Sequence, residues 1–142
     1  AILRRCRAAN QLLERFGDQI QESVLHAIRD TARGEILVGT AVVVRTFDHR
    51  MPHLIVAPTM RVPSDVSMTA NAYLAMYAVL VLAWDRPPTV AVPGLCTGVG
   101  KMPPHVSARQ MALAYRRSPP GKGWFPRGWR DALADQEAMV LG

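Results

Sequence analysis

The chain has 142 residues, 49% of them hydrophobic and 20% charged, with 17 Lys and Arg against 11 Asp and Glu for a formal net charge of +6. This composition excludes a disordered chain, and two cysteines exclude a disulfide scaffold; the length suits one domain, residues 1–142, with its own core. The longest apolar run, Ala78 to Trp84, is far short of the ~20 residues that span a bilayer, which predicts no membrane association.

In chain order, residues 2–16 read as a helix broken by Gly17. Asp18 with Gln21 three positions on predicts a capping box for a second helix. Ile20, Val24, Leu25 and Ile28 form its apolar stripe, and Gly34 ends it. The β-branched run within Val38–Thr46 predicts a strand, and His53–Ala57, between Pro52 and Pro58, a second. Consecutive apolar positions suit strands buried on both faces. After a proline-bounded loop, Ser67–Ala83 is the strongest helix, with Met68, Ala72, Ala75, Met76 and Val79 among its core-facing residues.

Residues 85–88 predict a turn, Thr89–Pro93 a third strand, and Gly94–Met102 a glycine-containing loop. Pro103 or Pro104 can open the next helix, which runs to about Arg116 with Val106, Met111 and Tyr115 as core contacts. Residues 118–126 read as loop and 127–141 as a C-terminal helix. The order of strands and helices points to an α/β fold with a mainly parallel sheet.

The positive charge falls in two clusters, Arg4, Arg5 and Arg7, then Arg116, Arg117, Lys122, Arg127 and Arg130. They read as solvated faces or as a general attraction for anions, with no recognisable nucleic-acid reader motif beside them. Trp124, Phe125 and Trp129 either dock the tail onto the core or stack on a ligand base.

The loop Pro93-Gly94-Leu95-Cys96-Thr97-Gly98-Val99-Gly100-Lys101-Met102-Pro103 is the most informative stretch. Glycines let backbone amides approach a ligand, and a helix start nearby adds unpaired N–H groups, together a site for phosphate. The spacing matches neither the Gly-x-x-x-x-Gly-Lys-[Ser/Thr] nor the Gly-x-Gly-x-x-Gly pattern. From the residues alone, a phosphate cradle and a tight structural turn both stay open.

This loop resembles the diphosphate-binding loop of macro domains. The ordered stretches Gly34–Val44, His53–Pro58, Ala70–Leu82 and Ser107–Tyr115 also resemble that family, so the likeness spans residues 34–117. The segment Ala57–Pro63 is similar to a bacterial and phage macro-like subgroup more than to hydrolytic members. The resemblance implies a three-layer α/β/α sandwich around a mixed, largely parallel sheet, and ADP-ribose or a related nucleotide as ligand. It also implies an ADP-ribosylated macromolecule as a possible partner. Carried over by position, Gly94, Leu95, Cys96, Thr97, Gly98, Val99, Gly100 and Lys101 would cradle the diphosphate, with Pro58 and Thr59 flanking it. Gly100 stands where the family usually has an aromatic residue, and Lys101 where it has a glycine. The sequence opens in what reads as the helix after the family's opening strand and Asn/Gly-rich loop, source of its catalytic Asn, so that part either lies upstream of Ala1 or is lost in this member.

The alternatives are an ADP-ribosyl hydrolase and a basic nucleic-acid-binding domain. Cys96 and His105 raise a nucleophile pair, but Cys96 also reads as a small residue in a tight turn. His26, His49 and His53 share no metal spacing, and no metal or cofactor is expected. Asp65 and Asp85 read as caps or turn formers, and no carboxylates are paired for acid–base work. Cys6 and Cys96 read as reduced thiols, which predicts a cytoplasmic protein.

Overall fold

The structure, a computed structural model, describes residues 7–84 and 89–142, with side chains from residue 10 onward. The elements are α1 (Arg7–Phe16), α2 (Asp18–Asp30), β1 (Val42–Arg45), β2 (His53–Val56), α3 (Asn71–Ala83), α4 (Pro104–Arg117) and α5 (Trp129–Leu141). The predicted turn at 85–88, Cys6, and the arginines at 4 and 5 lie outside the described residues.

One core lies where α2 covers β1. Phe16, Ile20, Val24 and Val44 are buried there, with Leu54 and Val56 of β2 packed against them. Ile20 and Val24 are one helical turn apart, so the stripe read from the sequence does face the sheet, while Leu25 and Ile28 are only partly buried at its margins. The predicted capping box does not form. Gly17 is the N-cap, with φ 74°, and Asp18 sits inside the first turn without a side-chain cap bond. Its negative charge is still placed favourably for the helix dipole.

β1 and β2 pair antiparallel, in the register Val42↔Val56 to Arg45↔His53. The connection between them is tied down by Asp48, whose Oδ1 accepts from the Arg50 N–H (2.7 Å) and whose Oδ2 accepts from Arg15 Nη2 (3.0 Å). These contacts hold the Asp48 carboxyl below the usual carboxylate range, the Arg50 backbone bond contributing most. Among the described residues the sheet has these two strands only. The largely parallel pairing expected from the sequence is therefore not found there, and residues 89–93, read as a third strand, carry no strand pairing. Nor are the strands buried on both faces: in β1, Val42 and Val44 are buried, Val43 half-buried and Arg45 exposed. That alternation belongs to a sheet covered on one side.

The second core lies between α3, α4 and the loop that leads into α4. It buries Val66, Ala72, Cys96, Met102 and Val106, with Met60 and Leu95 against them. Helix α3 starts at Asn71, later than Ser67, and Met68 is exposed in the turn before it. Its buried face is small: Ala72, Ala75, Ala78 and Val79. Small residues let α4 approach closely, and α4 answers with Val106, Ser107, Gln110 and Ala114. Tyr115, expected in this core, is exposed, and Met111 is half-buried. Helix α5 packs on α4, held by Arg117, whose guanidinium forms a two-pronged pair with Asp135 (2.6 and 3.0 Å). No helix among the described residues is long and apolar enough to cross a membrane.

Candidate functional site

The loop from Gly94 to Met102 folds back on itself before α4. Lys101 donates its N–H to Gly98 O (3.0 Å) and Met102 donates to Cys96 O (3.0 Å). Thr97 Oγ1 donates to Gly94 O (3.2 Å). From outside, Val66 N–H donates to Gly100 O (3.0 Å), and Ser107 Oγ donates to Leu95 O (2.6 Å). Each clamp uses a loop carbonyl. The N–H groups of Leu95, Cys96, Thr97, Gly98, Val99 and Gly100 have no acceptor among the described residues. Thr97, Gly98 and Val99 are exposed. A run of amide donors on a backbone held by its carbonyls is the arrangement that receives an anion.

Gly100 is required by close packing. A Cβ there would stand 2.6 Å from Cys96 O and 2.7 Å from Val66 Cγ2. An aromatic side chain, expected at this position from the family, has no room. Lys101 has φ 55° and Cys96 φ 62°, both left-handed. Lys101 thus adopts the backbone for which a glycine is best suited, at the position where the family carries one. Gly98 is open, with nothing within 4 Å of an added methyl.

Ser107, 1% exposed, is a positioning residue that the sequence reading placed on a helix without a role. Its hydroxyl at α4's first turn reaches back to the loop carbonyl, a Ser-to-backbone bond that one-dimensional spacing does not reveal. Ser107→Ala is expected to cost about 1–2 kcal/mol, read as a lower melting temperature, and to weaken any ligand held by the loop amides.

Cys96 is buried at 6% exposure, and burial pushes its thiol pKa up, opposed by hydrogen bonding with Thr59. The thiol is therefore neutral at pH 7, and His105 is exposed at the surface, so the pair does not make a nucleophile. In a Cys6→Ser background, iodoacetamide should alkylate Cys96 far more slowly in the folded chain than in denaturant; equal rates would contradict this burial. Thr59 is thereby brought beside the loop, its carbonyl held by Asn71 Nδ2 (2.8 Å), while Pro58 is half-buried just before it.

Two ionisable groups sit near the loop. Asp65 accepts from Ser67 Oγ (2.6 Å) and Ser67 N–H (3.0 Å), and these bonds, with a smaller contribution from Lys101, hold its carboxyl below the usual range. Its stabilising effect is present above the ordinary carboxylate value and is lost as the pH falls through the lowered one. Lys101 itself is exposed. Among the described residues no three His, Cys, Asp or Glu side chains gather as metal ligands.

Over 90 residues the chain is 37% identical to an uncharacterized protein of Aquifex aeolicus (strain VF5), an alignment covering 62% of this chain and 54% of that protein. The chain thus spans about half the length of the curated relative it matches. No solved structure matches it. The Macro domain family matches residues 4–111, a span that contains the amide-lined loop, its Val66 and Ser107 clamps, and both strands. That family has an α/β fold and binds ADP-ribose or related ligands, and a match over most of the sequence places this chain in it: the protein belongs to the Macro domain family.

Proposed function

We propose that residues 1–142 form one macro-like domain that binds ADP-ribose or a related nucleotide diphosphate on the loop Gly94–Lys101. The observation that carries this reading is the run of backbone N–H groups from Leu95 to Gly100, without acceptors among the described residues, on a loop held through the carbonyls of Gly94, Leu95, Cys96, Gly98 and Gly100. Leu95, Cys96, Val99 and Gly100 set the backbone path, and Thr97 and Gly98 present the most open amides. Gly94 closes the loop through Thr97, Lys101 adds a cation at its rim, and Pro58 with Thr59 forms the flank. The β1–β2 hairpin belongs to the sheet of a three-layer α/β/α sandwich, and an ADP-ribosylated macromolecule is the corresponding partner.

Binding is favoured over ADP-ribosyl hydrolysis by the chemistry beside the loop. Cys96 is held neutral, and Asp65 is a weakened base because its Oδ1 accepts two hydrogen bonds from Ser67 that favour the ionised carboxylate. Calorimetric titration of the folded chain with ADP-ribose should give saturable heat, with adenosine monophosphate weaker because it lacks the second phosphate. Absence of heat at millimolar ADP-ribose with a folded sample overturns the proposal.

A further inference from the structure

The segment from Arg116 to Arg130 stands apart from the loop site and beyond residue 111, where the family match ends. It contains Arg116, Arg117, Lys122, Arg127 and Arg130 and no acidic residue, so it carries +5 in a chain whose net charge is +6. Two of the three tryptophans and one of the three phenylalanines also fall here: Trp124, Trp129 and Phe125. Phe125 is 89% exposed and Trp129 80% exposed, so neither docks the tail onto the core.

The segment is anchored at one point. The Arg117 guanidinium, paired with Asp135, lies over the Trp124 ring at 4.5 Å and the Tyr73 ring at 5.8 Å. Trp124 is thus spent on fixing the loop to the body, with 39% exposure, and its neighbour Phe125 is left outward. At the start of α5, the Arg127 N–H and Nε both donate to Asp131 Oδ2 (3.1 and 3.4 Å), which fixes the turn that presents Trp129. Arg127, Gly128, Trp129, Arg130 and Asp131 line an open hollow of about 610 Å³. Arg116, Lys122 and Arg130 are exposed and make no ion pair among the described residues.

Two exposed rings interleaved with unpaired cations match one kind of partner: a polyanion with flat apolar faces along it. Bases stack on aromatic rings while the backbone phosphates meet Lys and Arg, and the stacking needs unpaired bases. We infer that the largely exposed segment 116–130 binds single-stranded nucleic acid, with Phe125 and Trp129 as stacking platforms and Arg116, Lys122 and Arg130 as phosphate contacts. The acidic groups nearest the segment, Asp131 and Asp135, are paired with Arg127 and Arg117, so neither carboxylate stands uncompensated against such a strand.

The test is fluorescence anisotropy of labelled single-stranded oligonucleotides, an all-thymine DNA and an all-adenine RNA, with the intact chain at low salt. The expected Kd lies between about 1 and 100 µM, and log K should fall with log salt with a slope of about −2, for three phosphate contacts. A paired duplex of the same length should bind more weakly. Phe125→Ala with Trp129→Ala should weaken the single strand at least tenfold, and Lys122→Glu with Arg130→Glu should do likewise while flattening the salt slope. Both variants change exposed residues, and circular dichroism with ADP-ribose calorimetry checks that the fold and the loop are unaltered. Unchanged affinity in the aromatic variant overturns the inference, as does equal preference for duplex. So does a face that instead forms a dimer dissociated by Phe125→Ala in sedimentation equilibrium, or one that binds phosphatidylglycerol vesicles and not the oligonucleotides.

Discussion

Gly100→Ala is expected to destabilise the protein by about 2–3 kcal/mol and to abolish measurable ADP-ribose binding. The added methyl would meet Cys96 O at 2.6 Å and Val66 Cγ2 at 2.7 Å. Val66 can turn its side chain, but the Cys96 carbonyl cannot move freely, since it accepts the Met102 N–H at 3.0 Å. The clash is therefore relieved by displacing the loop, which breaks the Val66–Gly100 bond and spreads the amides from Leu95 onward. Gly98→Ala supplies the contrast. A methyl there meets nothing within 4 Å, so stability should stay within about 0.5 kcal/mol while ligand affinity falls, because the methyl would stand where a bound phosphate must approach. Chemical denaturation and calorimetry on the two variants separate them. Equal stability of Gly100→Ala and the parent would refute the packing argument, whatever the ligand does.

Gln110→Leu is expected to lose about 3 kcal/mol, which for a chain of this length is a fall in melting temperature of roughly 10 °C. Gln110 is 1% exposed, and three of its four hydrogen-bonding positions are used, reaching α3, the turn before it and α5. Its Oε1 accepts the Tyr73 N–H at 3.1 Å, in the first turn of α3. Its Nε2 donates to Thr69 O at 2.8 Å and to Met139 O at 3.0 Å. The amide thus satisfies one orphan donor at the start of α3 and one carbonyl near the end of α5. Leucine fills nearly the same volume, so the loss measures unsatisfied polar groups and not a cavity. Because Gln110 lies on α4 with Ser107, loosening it should also reduce ADP-ribose affinity, by less than Gly100→Ala does. A Gln110→Leu variant that melts with the parent would show that these bonds contribute nothing.

The positions of α1, α2, α4 and α5 were legible because each is bounded by a local signal, whereas α3 begins four residues later than its apolar stripe suggested. Gly17 separates α1 from α2, prolines open α4, and the glycine- and proline-rich stretch precedes α5. The glycine loop before α4 was legible for the same reason, since glycine content is a statement about the backbone. Caps were less so. Asp18 looks like an N-cap by spacing, yet Gly17 takes that place, and α3 is capped by Thr69, whose Oγ1 accepts the Asn71 N–H at 3.2 Å, and by Gln110 from another helix. The periodicity of α4 pointed correctly to Val106 in the core but also to Tyr115, which is exposed, while the polar Ser107 and Gln110 are buried beside Val106 and Ala114. A polar residue is buried when partners arrive from elsewhere in the chain, and no window of neighbouring residues contains them.

By itself, then, the sequence determined the helices, the β1 and β2 strands, the family and the glycine loop that carries the amides, since these rest on backbone-local chemistry and ordered motifs; it also predicted a third strand at Thr89–Pro93 that finds no pairing among the described residues. Tertiary structure alone decided which glycine is indispensable, that Cys96 is a buried neutral thiol, and that Val66 and Ser107 hold the loop. It also decided that Phe125 and Trp129 face outward. Each of those outcomes depends on contacts between residues distant in the chain, and such contacts exist only once α3, α4 and α5 have packed together.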